Sequence, residues 1–238
     1  MQPRNTRQGH ALTMDALEDM PNMSLPQLAD IEALVKKAKA LDVENNQLTH
    51  MLEARVTHLH RAIKLPEEHA VQALREFVLR YIERVPMFIE AIDHIGREAG
   101  ISGPIAPLLN IACDYFLSPP ELIKGRLPFA ALLDEAYLAH RLLEEINDRF
   151  IGYCGVPLAP MDTTRANVIA HELIGEPFAN ELDQAVLFSA ELLLNEYNFQ
   201  DPQLQANMAS RNDRGWSEAL RRWPALEEDL DISVRFAT

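Results

Sequence analysis

The stretch DYFLSPPELIKGRLPFAALLDEAYLAHRLLEEIND, residues 114–148, decides the fold of this chain because two prolines separate two apolar runs. Pro119 and Pro120 cannot continue a helix, since proline lacks the amide donor and its ring collides with the preceding turn. The residue before a proline is also biased away from helical geometry. We therefore predict that the first helix ends near Leu117 and that the chain turns a tight corner there.

A short turn and a second helix are expected to follow the prolines. Ser118 and Glu121 have the spacing of a capping box, with Pro119 at the tolerated first position. Gly125 can adopt a positive φ and so end a single turn. Pro128 suits the first turn of the second helix. The apolar face of that helix is predicted to consist of Phe129, Leu132, Leu133, Ala136, Tyr137, His140 and Leu143.

An acidic pair, Asp134 and Glu135, lies about two turns into that helix. The corner leaves backbone N–H groups unpaired and carries Lys124 and Arg126, so we expect the Asp134 carboxylate to point back towards these donors. Glu135 lies about 100° further round the helix and is expected to face solvent. The predicted structural corner consists of Ser118, Pro119, Glu121, Gly125, Pro128 and Asp134.

A catalytic or metal-binding interpretation of the same helix stays open beside the structural one. Paired acids can perform acid–base catalysis when their environments separate their pKa values. His140 and Glu144 are four residues apart and could share a cation, which makes Glu135, His140 and Glu144 the candidate binding or metal-ligating residues. A metal-dependent enzyme of this kind would require Asp134 and these three side chains to converge.

The same segment resembles a known family. Within residues 104–148, the words YFLSPPELI and LPFAALLDEAYLAHRLL are similar to the YkvA-type bacterial domain of unknown function, with its apolar helix, sPiDLIPD-fIP corner and GxxDD helix start. Glu121 replaces the first Asp of that pattern, Lys124 replaces a Pro, and the Gly before the acidic pair is absent. The resemblance implies a bacterial helical domain and no particular reaction. The matching or nearly matching residues are Tyr115, Ser118, Pro119, Glu121, Leu122, Ile123, Pro128, Leu133, Asp134 and Glu135.

Net charge and composition argue against several classes of function. The 238 residues carry 36 acidic and 22 basic side chains, a net charge of −14. Binding to nucleic acid or to an anionic membrane needs a basic face that displaces counterions, so neither partner is expected. No uncharged apolar run approaches the roughly 20 residues that span a bilayer. Two cysteines without a secretory leader predict a cytoplasmic protein.

Motifs for nucleotide binding, for a hydrolase nucleophile and for zinc proteases are absent from the sequence. No cofactor and no metal are therefore expected. Cys154, between Gly152 and Gly155, is the one residue in a plausible reactive setting, and an ordinary loop thiol is the favoured interpretation.

The segment before the core begins with residues 1–23, which lack apolar periodicity and are predicted to form a mobile arm. Residues 24–65 have helical periodicity, and a heptad seam can be traced through them. Either one long helix self-associates through this seam, or two helices broken near residues 42–46 pack on their own domain. The candidate interface residues of the seam are Leu34, Leu41, Asn45, Leu48, Leu52 and Leu59.

Residues 66–200 are predicted to form the helical core. One helix is expected to begin at Pro66, with a kink or a break at Pro86, and another to cover residues 104–117. A longer apolar helix from Pro177 to about residue 197 is expected at the centre of the fold.

Between these helices, residues 152–160 read as a loop, and a short capped helix is expected to end at Gly175. Residues 201–238 are predicted to be a loop, a short helix and an acidic tail. The short helix carries a further candidate interface, made of Trp216, Leu220 and Trp223.

The sequence therefore predicts an all-α fold: a multi-helix orthogonal or bundle-like domain with an N-terminal long helix or helical hairpin. The favoured functional hypothesis is a scaffold or regulatory protein that associates with other proteins as a homodimer, rather than an enzyme. One alternative is a small-molecule or lipid-binding domain with a pocket between the helices that begin at Pro66 and Pro177. The other alternative is the metal-dependent enzyme described above.

Overall fold

The computed structural model describes residues 25–235 except 99, 160, 195–198 and 214–225. These residues form eight α-helices and one pair of two-residue strands, so the prediction of an all-α fold is confirmed. The helices are α1 (Leu25–Asn45), α2 (Gln47–Arg55), α3 (Ala70–Glu98), α4 (Ser102–Leu117), α5 (Pro128–Cys154), α6 (Thr164–Ile174), α7 (Phe178–Leu194) and α8 (Pro202–Asp213). The strands are β1 (Ile63–Lys64) and β2 (Ser233–Val234).

Helix α5 occupies the centre of the fold and contacts each of the other seven described helices. Every residue from Leu132 to His140 is buried. Because successive side chains lie about 100° apart, a buried run of this length leaves no side of the helix facing water. Helix α5 therefore supplies the largest part of the core, and it lies between the N-terminal and the C-terminal helices.

Helix α7 is not central, so the prediction for the helix that follows Pro177 is wrong. Four of its residues are fully buried, and two of them are alanines: Ala179, Leu182, Val186 and Ala190. The Phe188 side chain is 66% exposed. Helix α7 therefore packs on the core through one face, although its sequence is apolar on most sides.

The corner lies where the sequence predicts it. Helices α4 and α5 end and begin at the expected residues, and a 3₁₀ turn covers Glu121–Ile123 between them. Gly125 has a φ of 88°, as a residue that ends the turn should. The capping box is not formed, because the 3₁₀ turn begins after Pro120 without a side-chain cap and Ser118 instead follows the last turn of α4.

Asn46 separates α1 from α2 in a left-handed conformation with a φ of 50°. The N-terminal segment is therefore two helices and not one long helix. Leu48 and Leu52, both assigned to the candidate interface, are fully buried in the core, whereas Leu34 and Leu41 are exposed. The left-handed residue interrupts the helical phase, so the heptad seam is divided between core and surface.

The two other residues of the seam follow the same division. Asn45 is exposed at the end of α1, and Leu59, after α2, is half-buried against the core. A continuous apolar seam is therefore absent from the described part of this segment.

Asp42 stabilises the break between α1 and α2. Its carboxylate is buried and accepts hydrogen bonds from the Leu48 amide at 2.8 Å and from Arg75 Nη2 at 3.0 Å. We expect Asp42→Ala to lower the free energy of unfolding by about 2 kcal/mol, because both donors lose their acceptor. Urea denaturation measures this change. The control is Asp30→Ala, which removes an exposed carboxylate of α1, and equal losses for the two variants would contradict the role given to Asp42.

Helix α3 begins four residues later than predicted. His69 has a φ of 64°, which cannot belong to a right-handed helix, so Pro66, Glu67 and Glu68 precede the helix rather than open it. Pro86 does not split α3, which continues to Glu98. Strand β1 ends at Lys64, and residues 65–69 connect it to α3.

Strands β1 and β2 join the C-terminal segment to the link between α2 and α3. They pair antiparallel, with Ile63 opposite Val234, and the Arg235 amide donates to the Ala62 carbonyl at 2.9 Å. An ion pair between Asp229 and Arg80 of α3 is a second connection between the C-terminal segment and the rest of the fold. The acidic tail predicted from the sequence is therefore packed on the fold up to residue 235.

Residues 202–213 form helix α8, so the loop predicted there is wrong. The Asp201 carboxylate accepts a hydrogen bond from the Leu204 amide at 3.2 Å, and Pro202 is the first residue of the helix. An acidic N-cap followed by proline is a standard helix start. Gln205 then connects α8 to α5 through the Tyr153 carbonyl at 3.3 Å.

Two predictions fall outside the described residues. These are the arm at residues 1–23 and the candidate interface of Trp216, Leu220 and Trp223. Among the described helices, none combines the length and the apolar character needed to cross a membrane.

Candidate functional site

The acidic pair of α5 does not bind the backbone of the corner. Asp134 is fully buried, and its carboxylate forms an ion pair with the Arg126 guanidinium, whose Nη2 lies 3.4 Å from Oδ1. Arg126 also lies over the Phe178 ring, with 4.4 Å between the guanidinium carbon and the ring centroid. Arg126 is one of the partners predicted for Asp134.

The predicted role of Asp134 as acceptor for corner amides is wrong, and the turn itself explains why. The amides of Ile123, Lys124 and Arg126 donate to the carbonyls of residues three positions earlier in the chain. Three N–H groups of the corner are therefore satisfied within the turn, and the buried carboxylate pairs with a side chain instead.

Glu135 is buried, so the prediction that it faces solvent is also wrong. A rotation of about 100° from Asp134 leads to another neighbouring element, because α5 is surrounded on all sides. In the described residues, Oε2 of Glu135 has no hydrogen-bond partner. Burial raises the pKa of Glu135 to about 8, and the Asp134 carboxylate adds to the shift. Burial likewise raises the pKa of Asp134 to about 7, against the opposing effect of Arg126.

His140 is part of the core. Its Nε2 donates to the Tyr81 carbonyl at 2.8 Å, and its ring centroid lies 4.1 Å from that of Tyr81 and 4.9 Å from that of Phe88. Burial lowers the pKa of His140 to about 4, so the imidazole is neutral near pH 7. Across the described residues, no group of three or more His, Cys, Asp or Glu side chains could hold a metal ion. The convergence required for the metal-dependent enzyme is therefore absent.

A different set of side chains converges, in a cleft of about 300 Å³ between α5, α6 and α7. Successive turns of α5 and of α6 supply residues three or four positions apart, which places them on one face of each helix. Helix α7 supplies one carboxylate from the opposite wall. The lining residues are Tyr137, Arg141, Glu144, Thr164, Asn167, Val168, His171, Glu172 and Asp183.

Asp183 and Glu144 hold Arg141 between them. The Tyr137 hydroxyl donates to Asp183 Oδ1 at 2.8 Å, and Arg141 Nε donates to the same oxygen at 3.1 Å. Arg141 Nη1 forms an ion pair with Glu144 Oε2, which also accepts a hydrogen bond from Asn167 Nδ2 at 2.6 Å. Five side chains from three helices thus form one hydrogen-bonded network.

The orientation of the Asn167 amide is fixed from behind the cleft. The Tyr81 hydroxyl of α3 donates to Asn167 Oδ1 at 2.6 Å, which directs Nδ2 towards Glu144 and towards Thr163 Oγ1 at 3.2 Å. Tyr81 is fully buried and Asn167 is 3% exposed. A satisfied network of this kind gives its members one defined arrangement.

The protonation states of the network follow from its charges. Burial and the Asp183 carboxylate raise the pKa of Tyr137, so its hydroxyl stays a donor. Burial opposes the charge of Arg141, but Glu144 and Asp183 together hold the pKa of Arg141 above its usual range. On the third wall, His171 Nε2 lies 3.2 Å from Asn180 Oδ1 and 3.5 Å from Asp183 Oδ2.

Of the candidate residues predicted from the sequence, Glu144 lines the cleft and Glu135 and His140 do not. Tyr137, Arg141 and Glu144 repeat at helical spacing on α5, and that pattern could have indicated a polar site. Nothing in the sequence indicates that Asn167 and Asp183 meet them.

Cys154 lies on the last turn of α5, since the helix extends into the predicted loop and ends at Gly155 with a φ of 76°. Burial raises the pKa of the Cys154 thiol. A raised pKa lowers the fraction of reactive thiolate, which supports the interpretation as an ordinary thiol.

Comparison of the chain with protein-family models, with curated proteins and with solved structures gives no significant match.

Proposed function

We propose that this protein binds a small polar molecule in the cleft between α5, α6 and α7. The supporting observation is the convergence of polar side chains from three helices on one cavity of about 300 Å³. Small-molecule sites are usually concave, with a few polar groups placed at fixed positions. The cleft differs in place from the pocket predicted from the sequence, because α3 reaches it only from behind, through Tyr81.

Hydrogen-bonding capacity is left over in the cleft. Among the described residues, Glu144 Oε1 and Arg141 Nη2 have no hydrogen-bond partner, and neither atom is fully buried. Both atoms are therefore accessible to solvent, on residues that line the cleft, and can bind a polar ligand without breaking the network.

The network also reduces the cost of binding. Tyr137 is 1% exposed, and its hydroxyl is fixed by Asp183 before any ligand arrives. Side chains that are ordered in the free protein lose little conformational entropy on binding. This arrangement favours a ligand-binding site over a purely structural polar cluster.

Self-association has less support from the fold. Leu48 and Leu52 of the predicted seam are core residues, and the large apolar residues of α1 that are exposed, among those described, are Leu34, Leu41 and Val43. The homodimer, a protein partner, the cytoplasmic location and the YkvA-type resemblance stay predictions. Light scattering during size-exclusion chromatography measures the oligomeric state directly.

A screen of small polar compounds by thermal shift, followed by calorimetric titration, tests the binding function. We expect Asp183→Asn to weaken the binding of any hit by about tenfold or more, because it removes the charge that orders Tyr137 and Arg141. Glu191→Gln, on the exposed side of α7, is the matched control and should leave affinity unchanged. If no compound binds saturably, or if both variants bind alike, the proposal fails.

A further inference from the structure

A second cavity of about 210 Å³ adjoins the cleft, and the two share Glu144 and Thr164 as lining residues. It lies beside the C-terminal half of α5 and the start of α6. Its other lining residues are Asn147, Asp148, Ile151, Pro157, Met161, Asp162 and Thr163.

Carboxylates outnumber positive charges on the walls of the two cavities. The acidic lining residues are Glu144, Asp148, Asp162, Glu172 and Asp183, while Arg141 is the only Lys or Arg among the described lining residues. One guanidinium cannot balance five carboxylates, so the site favours a positively charged ligand. An anionic ligand would meet a carboxylate on each of α5, α6 and α7 and, among the described lining residues, one guanidinium, that of Arg141, which is already paired with Glu144 and Asp183.

The unused oxygen atoms point to the same charge. Glu144 Oε1 accepts no hydrogen bond from the described residues, and Asp183 Oδ2 has only His171 Nε2 near it, at 3.5 Å, although the other oxygen of each carboxylate accepts two hydrogen bonds. An ammonium group has three N–H donors and suits two such acceptors. In this cleft the acceptors are held in place by Tyr137 and Asn167, both more than nine-tenths buried.

The second cavity has no cationic side chain among its described lining residues to balance its acids. Burial and the neighbouring Glu144 and Glu145 carboxylates raise the pKa of Asp148. Asp148 accepts no hydrogen bond from the described residues, and Asp162 uses Oδ1 to accept from the Thr164 amide at 3.0 Å. A positive group bound here would relieve the repulsion between these carboxylates.

The walls between the acids are apolar, which suits an organic ligand. Val168 lines the cleft, and Ile151, Pro157 and Met161 line the second cavity. A chain of methylene groups gains from contact with such walls, whereas a metal ion does not. The described acids also lack the arrangement that a metal ion requires.

Resting on the binding function proposed above, we propose that the ligand is a linear organic diamine. One ammonium group binds Glu144 and Asp183 in the cleft. The other binds Asp148 and Asp162 in the second cavity, and the methylene chain passes Glu144 and Thr164, where the cavities meet. A monoamine can use only one of the two acidic positions.

Calorimetric titration with diaminobutane, butylamine and butanoate tests the ligand class, in about 0.15 M salt so that the general negative charge of the protein is screened. We expect one diamine per protein molecule, a Kd at least about tenfold lower than that of butylamine, and no binding of butanoate. A series of linear diamines of increasing chain length should show an optimum, because the methylene chain must span the two acidic positions.

Variants assign the two ends of the diamine. Asp148→Asn combined with Asp162→Asn should raise the Kd of the diamine towards that of butylamine and leave butylamine binding unchanged. Glu144→Gln should weaken both amines, and Glu191→Gln should affect neither. Equal weakening of diamine binding by Glu191→Gln and by the Asp148/Asp162 variant would show attraction to the net charge alone and overturn the proposal.

The two proposals can fail separately. If a neutral or anionic compound binds in a manner sensitive to Asp183→Asn while no amine binds, the cleft is a binding site but the diamine inference is wrong. If no compound of any charge binds, both proposals are wrong.

Discussion

Gly175→Ala should lower the free energy of unfolding by about 3 kcal/mol, because two costs act at one position. Gly175 follows α6 with a φ of 85° and a ψ of 148°, a conformation that residues with a Cβ atom rarely adopt. A Cβ at this position would collide with the guanidinium group of Arg55. The Arg55 side chain can move away, but it then loses its hydrogen bonds to the carbonyls of Glu172 at 2.8 Å and Leu173 at 3.0 Å.

Chemical denaturation of Gly175→Ala and of three further variants separates the two costs. Gly125 has a similar φ of 88°, and a methyl group added to it would have no neighbouring atom within 4 Å, so Gly125→Ala reports backbone strain alone, about 1 kcal/mol. Arg55→Ala reports the loss of the two hydrogen bonds. The combination of Arg55→Ala with Gly175→Ala should cost less than the sum of the single changes, because the collision is then removed. Equal losses for Gly175→Ala and Gly125→Ala would rule out the collision with Arg55.

Glu135→Gln should raise the free energy of unfolding by about 3 kcal/mol near pH 9 and leave it almost unchanged near pH 4. The pKa of Glu135 is raised from 4.5 to about 8 by burial and by Asp134. Between these two values the folded protein binds more protons than the unfolded chain, so stability falls as the pH rises. Above about pH 8 the folded state buries a charged carboxylate, whereas glutamine is neutral at every pH.

Urea denaturation of both proteins at several pH values between about 4 and 9 measures this difference. The full shift, at about 1.4 kcal/mol per pKa unit, sets an upper bound near 5 kcal/mol, and relaxation around the charge makes the observed effect smaller. Glu191→Gln removes an exposed carboxylate of α7 and should follow the wild-type pH profile. Identical pH profiles for Glu135→Gln and wild type would show that the Glu135 carboxylate reaches water.

Local chemistry made the corner predictable. Pro119, Pro120 and Pro128 restrict their own φ angles and those of their neighbours, and Gly125 permits a positive φ, so four residues determine where α4 ends and α5 begins. The same kind of local information was present at Asp201, which caps α8. The sequence around it is polar and poor in glycine, and this concealed the helix.

Tertiary position made the rest unpredictable. The expectation that Glu135 faces solvent assumes that a helix has a water-exposed side, and α5 has none over its buried run. Leu48 and Leu52 have the spacing of an interface, yet one left-handed residue, Asn46, directs them to the core. Spacing within a helix does not show which neighbour covers each side.

The cleft could not be predicted for the same reason, because its residues meet only through tertiary packing. Glu144 could be identified because it lies four residues after His140 on one helix, although the reason given for it, a shared cation, is not what the structure shows. Its partners Asn167 and Asp183 lie on two other helices, 23 and 39 residues further along the chain. Only the packing of α6 and α7 on α5 brings the three together.

The position of α5 has a consequence for how the chain is made. A ribosome releases α1 to α4 first, and these helices contact α5, which is not yet available to cover their apolar faces. Helix α5 in turn has uncovered sides until α6, α7 and α8 have emerged. The nascent chain therefore exposes apolar surface through most of its translation. Its yield in a cell should depend most on chaperones that bind such chains.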